Sequence, residues 1–215
     1  MNGTIHKTGY VSSGAAFAAT SLFVIAQTLQ LIHVLHFPWD ATLIYSFSLL
    51  ITLPYLLAIL SLHYMTATHK RIWSHAAILF SMLYVVFVVA NYVVQLGVVI
   101  PATLRGEATS VALLDQTPQS VFWYFDAVGY IAMGITAFFV FLALDAEGIQ
   151  KTARLWFLLH SLTTPIIAWV YISPHFSNQL LLLAVPWAIT ALASTLSLAM
   201  LFKHGIGHAS NNQTI

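Results

Sequence analysis

The chain has 215 residues, of which 60% are apolar and only 6% charged, and its formal net charge is +1. A soluble domain carries about 25% charged residues, so a surface this poor in charge argues against a water-soluble fold and makes a lipid bilayer the expected solvent. The near-zero net charge offers nucleic acid no basic footprint, and the absence of cysteine removes disulfides, thiolate metal sites and cysteine nucleophiles together.

Taken in order, the apolar runs predict six membrane spans, each near the roughly 20 residues that cross about 30 Å of hydrocarbon. The first covers 14–36. Only Lys7 precedes it, and it is too long for the apolar core of a cleaved signal peptide. His36-Phe37-Pro38-Trp39-Asp40 divides it from a second span over 42–63, and Thr66 to Arg71 divides that from a third over 74–100. An outer loop, 101–118, carries Arg105, Glu107 and Asp115 around Val111-Ala112-Leu113-Leu114. It reads either as a short helix over the mouth of the bundle or as a loose connector. The fourth span covers 119–144, with Thr117 as N-cap and Pro118 at the first helical position. Asp145 to Lys151 leads to a fifth span over 154–173, and Ser173-Pro174-His175 to a sixth over 178–202. Pro54, Pro165 and Pro186 interrupt spans two, five and six, as hinges or as tolerated kinks. The expected fold is an all-α integral membrane protein, one domain of six transmembrane helices in a single bundle.

Basic residues set the expected orientation. Lys7, Lys70, Arg71, Lys151, Arg154 and Lys203 fall on one side of such a bundle and only Arg105 on the other. By the positive-inside rule both termini are then cytoplasmic. Trp39 and Trp123 fall at outer edges and Trp73 and Trp156 at inner ones, where amphipathic rings anchor a span.

Polar groups inside the spans carry the functional expectation. Asp126 lies roughly 10 Å deep in span four at 1.5 Å per residue, where an ionised acid costs on the order of 3 kcal/mol. Asn91 and Gln95, four apart, share one face of span three with Tyr84. Trp123, Asp126, Tyr130 and Met133 share one face of span four. Gln27 and Gln30 add amides on span one, with His33 a turn beyond, and Trp187, Thr190, Ser194 and Ser197 line one face of span six. The sum is a polar pocket in the outer half of the bundle. The competing reading is interhelical glue, since such side chains hold spans together at about 0.6–2 kcal/mol per bond.

Ten histidines are many for so uncharged a chain. His33, His36 and His175 fall at the outer face, His63, His69, His75 and His160 near the inner one, and His6, His204 and His208 in the tails. His63 or His75 with His160 inside, or His33 or His36 with His175 outside, could form a metal or haem pair, of which His63, His75 and His160 are the weak candidates. No His-Glu-x-x-His motif supports one, so no metal and no cofactor is expected, and interfacial anchoring is the plainer role. There is likewise no Gly-x-Ser-x-Gly elbow and no Gly-rich phosphate loop.

The stretch Asn91-Tyr92-Val93-Val94-Gln95-Leu96, Leu104-Arg105-Gly106-Glu107, Leu113-Leu114, Phe122-Trp123 and Asp126-Ala127-Val128-Gly129-Tyr130 resembles a group of bacterial multi-span inner-membrane proteins with no assigned activity. The resemblance covers about residues 88–140. In that group the acid is commonly Glu where this chain has Asp126. The resemblance implies a bacterial inner membrane, and it implies that Arg105 and Glu107 join the polar groups and close over Asp126.

The functional expectation is a pocket that binds or transports a small, partly polar molecule. Asp126, Asn91, Gln95, Tyr130, Gln30, His33, Arg105 and Glu107 would contact it, and Trp123 and Trp187 would supply apolar walls. The alternative is a membrane-embedded enzyme, of isomerase or cyclase type, acting on a lipophilic substrate with Asp126 as acid or base. A b-type haem protein and a structural or assembly subunit stand behind these. The lipid bilayer and a small ligand are the expected partners, and the oligomeric state is left open.

Overall fold

The computed structural model describes residues 2–211. Among these there is helix and connection but no strand. Six helical stretches are long and apolar enough to cross a membrane: Gly3–Leu31, Trp39–Met65, Thr68–Leu104, Val121–Ala143, Gln150–Ile172 and Gln179–Ile206. They are built from α1 (Asn2–Leu31), α2 (Trp39–Met65), α3 (Arg71–Val94), α4 (Ile100–Leu104), α5 (Val121–Ala143), α6 (Gln150–Leu162), α7 (Thr164–Ile172), α8 (Asn178–Leu181) and α9 (Val185–Asn211).

The helices form a closed ring in chain order. α1 packs on α2, α2 on α3, α3 on α5, α5 on α6 and α7, α6 on α9, and α9 returns to α1. Large side chains fill the interior, among them Tyr55, Tyr84, Met133 and Phe157. Lipid tails are as apolar as leucine, so close van der Waals approach must hold such helices together. Small residues provide it. Ala16, Ala19 and Ala26 are buried on α1. On α5 a Cβ at Gly129 would sit 2.8 Å from the Val88 methyl, and one at Gly134 would strike the Thr164 side chain. The outward surface is apolar instead, with Leu50, Leu53, Leu79, Val86, Trp169 and Met200 all exposed.

Several boundaries differ from the sequence expectation, each for a local reason. α1 begins at Asn2, so the stretch read as a tail is helix packed on α9. His6 meets Phe202 edge-on, and Gly9 and Gly205 leave room for the Phe202 and His6 rings. The side chain of His208 lies outside the described residues. α1 stops at Leu31 rather than 36 because His33 takes a left-handed conformation (φ 58°), and the amides of Val34 and Leu35 return to the Leu29 carbonyl. α5 begins at Val121, not 119. Gln119 is left-handed (φ 70°), and Ser120 rather than Thr117 is the N-cap, its hydroxyl accepting from the Trp123 amide at 3.1 Å.

The prolines divide. Pro54 stays inside continuous α2, whereas Pro165 falls in the first turn of α7, where span five breaks at Thr163. Pro186 is the second residue of α9, after a 3-10 turn over Leu182–Ala184. At these positions its missing N–H removes no intrahelical bond. Span three does not end with α3 at Val94. It passes through a π-helical turn, Gln95–Val99, into α4. π-turns inside α-helices recur at functional sites, and this one begins on a residue of the polar constellation.

Candidate functional site: a polar cavity at one end of the ring

Asp126 sits on the inward face of α5, a turn and a half below its N-terminus, and is 4% exposed. Three donors hold its carboxylate. The Tyr92 hydroxyl of α3 donates to Oδ1 at 2.6 Å, the Tyr171 hydroxyl of α7 donates to Oδ2 at 2.6 Å, and the Gln116 amide donates to Oδ2 at 3.0 Å. Tyr130, one turn on from Asp126, brings its hydroxyl within 3.3 Å of that of Tyr92. The acid therefore ties three helices and the 105–120 connection together at one point.

That connection is held by the two amides of span three. Asn91 donates to the Gln116 side-chain oxygen at 2.8 Å. Gln95 donates to the Leu114 carbonyl at 2.7 Å and accepts from the Gln116 backbone amide at 3.2 Å. Val111 and Leu114 pack under it against Val94, Val99 and Ala102. The connector is thus pinned to the bundle rather than loose, and its one turn of helix is a 3-10 turn, Ala108–Val111. Pinning it delivers Gln116 to Asp126.

A cavity of about 450 Å³ opens beside these groups. Asp126, Tyr92, Tyr130, Tyr171, Gln116 and Trp123 line it together with Gln27, Gln30, Asp40 and Tyr45. His33, His36 and Phe37 stand at the rim, where both histidines are exposed. Gln27 donates to the Gln30 side-chain oxygen at 2.7 Å, and Gln30 donates to Asp40 Oδ2 at 3.0 Å. Two relays of like design therefore face the same space: Gln27 to Gln30 to Asp40, and Asn91 to Gln116 to Asp126. In each, one amide orients the next so that its N–H₂ meets a carboxylate. A carboxylate surrounded by donors is satisfied as the anion.

The predicted residues separate accordingly. Asp126, Tyr130, Trp123, Gln30 and His33 line the cavity. Asn91 and Gln95 do not. They are fully buried behind its wall and act on it through Gln116. Trp123 is fixed by its indole N–H to the Tyr171 carbonyl at 3.0 Å and by Phe176 edge-on at 5.1 Å. Trp187 misses the main cavity and packs edge-on against Tyr130 at 5.0 Å, in the wall of a smaller adjoining chamber. Arg105 and Glu107 do not close over Asp126. They pair with each other at 2.9 Å, at 60% and 54% exposure, because the left-handed Gly106 turns the chain so that the two side chains meet locally.

The remaining candidates also resolve. Ser194 and Ser197 donate to carbonyls of their own helix and satisfy themselves there, whereas Thr190, which also donates within its helix, joins α9 to α6 through His160. His63 and His75 stack face to face, 4.2 Å apart and tilted by 23°, with His63 Nδ1 on Ser74 at 2.8 Å. Stacked rings do not aim two nitrogens at one ion. His160 lies apart from them, fully buried, with Nδ1 on Thr190 at 2.9 Å and the ring beside Trp187. Among the described residues no three His, Cys, Asp or Glu side chains gather as a metal site.

Sequence reasoning did not single out Gln116, Tyr92, Tyr171, Tyr45 or Asp40 as site residues. Asp40 falls in the first turn of α2, which begins three residues before the expected span, and Gln116 in a connection, both places where polarity is ordinary, and a tyrosine near a span end reads as an interfacial anchor. The one available signal was Tyr92, one residue from Asn91 and in register with Asp126.

With the architecture and the site in view, comparison with family models, curated proteins and solved structures returns no match to this chain.

Proposed function

We propose that the protein is a multi-pass membrane protein whose cavity binds a small, partly polar molecule, either to carry it or to sense it. The observation that carries this reading is the pair of amide-to-carboxylate relays facing one space of about 450 Å³. Ligand sites are largely pre-formed cavities with a few convergent polar groups, and an acid whose only task is packing would not be kept beside an open cavity. Asp126 and Asp40 are the acceptors for the ligand, Gln116 and Gln30 hold them in place, and Trp123 and Tyr45 form the apolar walls. The proposed setting is a bacterial inner membrane. There the two termini lie in the cytoplasm, where six of seven Lys and Arg residues gather, and the cavity opens outward.

Thermal unfolding of detergent-purified wild type and Asp126→Asn, against a panel of metabolites and a lipid extract, tests the proposal. A ligand that binds only the native state raises the unfolding temperature with concentration. The expected result is at least one compound that stabilises wild type and not the variant. Equal behaviour of both proteins across the panel would reduce the cavity to a solvated flaw in the packing.

A further inference from the structure

The ligand's chemistry can be narrowed from the walls of the cavity. Among the described residues two carboxylates, Asp40 and Asp126, line it, His33 and His36 stand at its exposed rim, and no lysine or arginine does. The ion pairs formed by other acids, Lys70 with Asp145 and Arg105 with Glu107, lie elsewhere. Every side-chain contact on either carboxylate is a neutral donor: two phenols and an amide on Asp126, one amide on Asp40. Neutral donors satisfy the lone pairs but leave the charge of buried Asp126 uncompensated, and a charge held away from water calls for a counter-charge. Asp40, half-buried in the first turn of α2, adds a second carboxylate nearer the mouth. Aromatic rings complete the enclosure. Tyr45 stacks on Tyr92 at 5.0 Å, and Trp123 packs on Tyr171 at 4.7 Å. Carboxylates set among aromatic faces suit an ammonium group, which is drawn to both.

A second observation bears on the rest of the molecule. A smaller chamber of about 150 Å³ adjoins the cavity and shares Phe23, Gln27, Leu31, Tyr130, Tyr171 and Leu181 with it. It lies between α1 on one side and α7, α8 and α9 on the other, and its own walls are almost wholly apolar: Ile167, Val170, Ala184, Val185, Trp187 and Ala188. Val185 and Thr28 among its lining residues are exposed. The break at Thr163 and the 3-10 turn before Pro186 both fall in the spans that bound it.

We infer that the ligand is a lipophilic organic cation: an amine or quaternary ammonium head in the main cavity between Asp126 and Asp40, with a hydrocarbon tail in the side chamber between α1 and α9. This rests on the binding role proposed above and adds the ligand's charge and shape. A neutral sugar would leave the buried charge of Asp126 uncompensated, an anion would be repelled by both carboxylates, and a small cation without a tail would leave the apolar chamber unfilled.

The test uses the full chain in nanodiscs of neutral lipid, with octyltrimethylammonium, tetramethylammonium, octyl sulfate and octanol as probes. Binding is read by quenching of tryptophan fluorescence and by thermal shift. Octyltrimethylammonium is expected to bind wild type, tetramethylammonium to bind about tenfold more weakly or worse for want of a tail, and the anionic and neutral octyl probes not to compete. Ala188→Trp, which fills the side chamber, is expected to bring octyltrimethylammonium down to the level of tetramethylammonium. Should that variant fail to fold, a tail series on wild type from methyl to octyl replaces it, with affinity rising along the series. Equal affinity for tetramethylammonium and octyltrimethylammonium overturns the tail assignment, and competition by octyl sulfate or octanol overturns the cation. If instead a neutral or anionic compound from the wider panel stabilises wild type but not Asp126→Asn, this inference fails while the binding role stands. If nothing binds, both fail.

Discussion

Asp126 is held by donors alone, and that fixes what its replacement does. In Asp126→Asn one carboxylate oxygen becomes an N–H₂ group, which must face either the Tyr92 hydroxyl or the pair formed by Tyr171 and Gln116. Facing Gln116, that N–H₂ meets another donor; facing the Tyr92 hydroxyl, which can accept, it leaves the bonds from Tyr171 and Gln116 without the acid's charge. Either outcome costs about 1–3 kcal/mol, so the variant should unfold at lower temperature than wild type in the absence of any ligand. Tyr92→Phe removes one donor and leaves the acid two. Its cost should be smaller, at the lower end of that range, because the carboxylate keeps its contacts to Tyr171 and Gln116. Thermal denaturation of the two variants side by side checks the order. A Tyr92→Phe variant weaker than Asp126→Asn would mean that the phenol, not the acid, organises the site. Asp126 was legible in the sequence because an acid inside an apolar run is expensive wherever it points. Its partners were not, because a tyrosine or glutamine near a membrane edge is ordinary and only the folded ring shows which of them face inward.

Elements position those residues, and the small side chains between helices set how closely. Thr164 occupies the space where a side chain on Gly134 would stand, so Gly134→Ala should destabilise by about 1–3 kcal/mol through overpacking. Thr164→Ala in the same chain should recover part of the loss, and a double-mutant cycle on unfolding temperatures measures that coupling. Additive effects would mean that α5 and α7 do not press on each other here. The π-turn makes a separate claim. Gln95 holds the 105–120 connection through Leu114 and Gln116, so Gln95→Ala should speed hydrogen exchange of the amides in 108–116 while leaving those of α5 unchanged. Span number and rough position were readable from apolar run length alone. The ends were not, because they depend on left-handed His33 and Gln119, and a non-glycine residue in that conformation gives no sign in the sequence. The resemblance that set Arg105 over Asp126 erred for a similar reason, since a turn at Gly106 decides where the side chain goes.

At the scale of the whole molecule, six apolar stretches in a closed ring set an apolar surface outward and a polar cavity at one end. The proposed orientation follows from charge, since burial inside the ring is the same whichever way it faces. The absence of native cysteine makes the direction simple to read. Glu107→Cys lies at the cavity end, and Glu147→Cys lies in the connection between α5 and α6 at the other. A membrane-impermeant maleimide on intact cells should label the first and reach the second only after lysis. The reverse pattern would turn the cavity toward the cytoplasm and make its ligand an internal one.

The most direct test of the central claim is native mass spectrometry of wild type and Asp126→Asn, each released from detergent after incubation with a lipid extract and an amine panel. Wild type is expected to carry one bound small molecule per chain, of a single mass, and the variant to fly without it. Bare protein in both cases, or the same adduct on both, would contradict the assignment of the Asp126 cavity as a binding site.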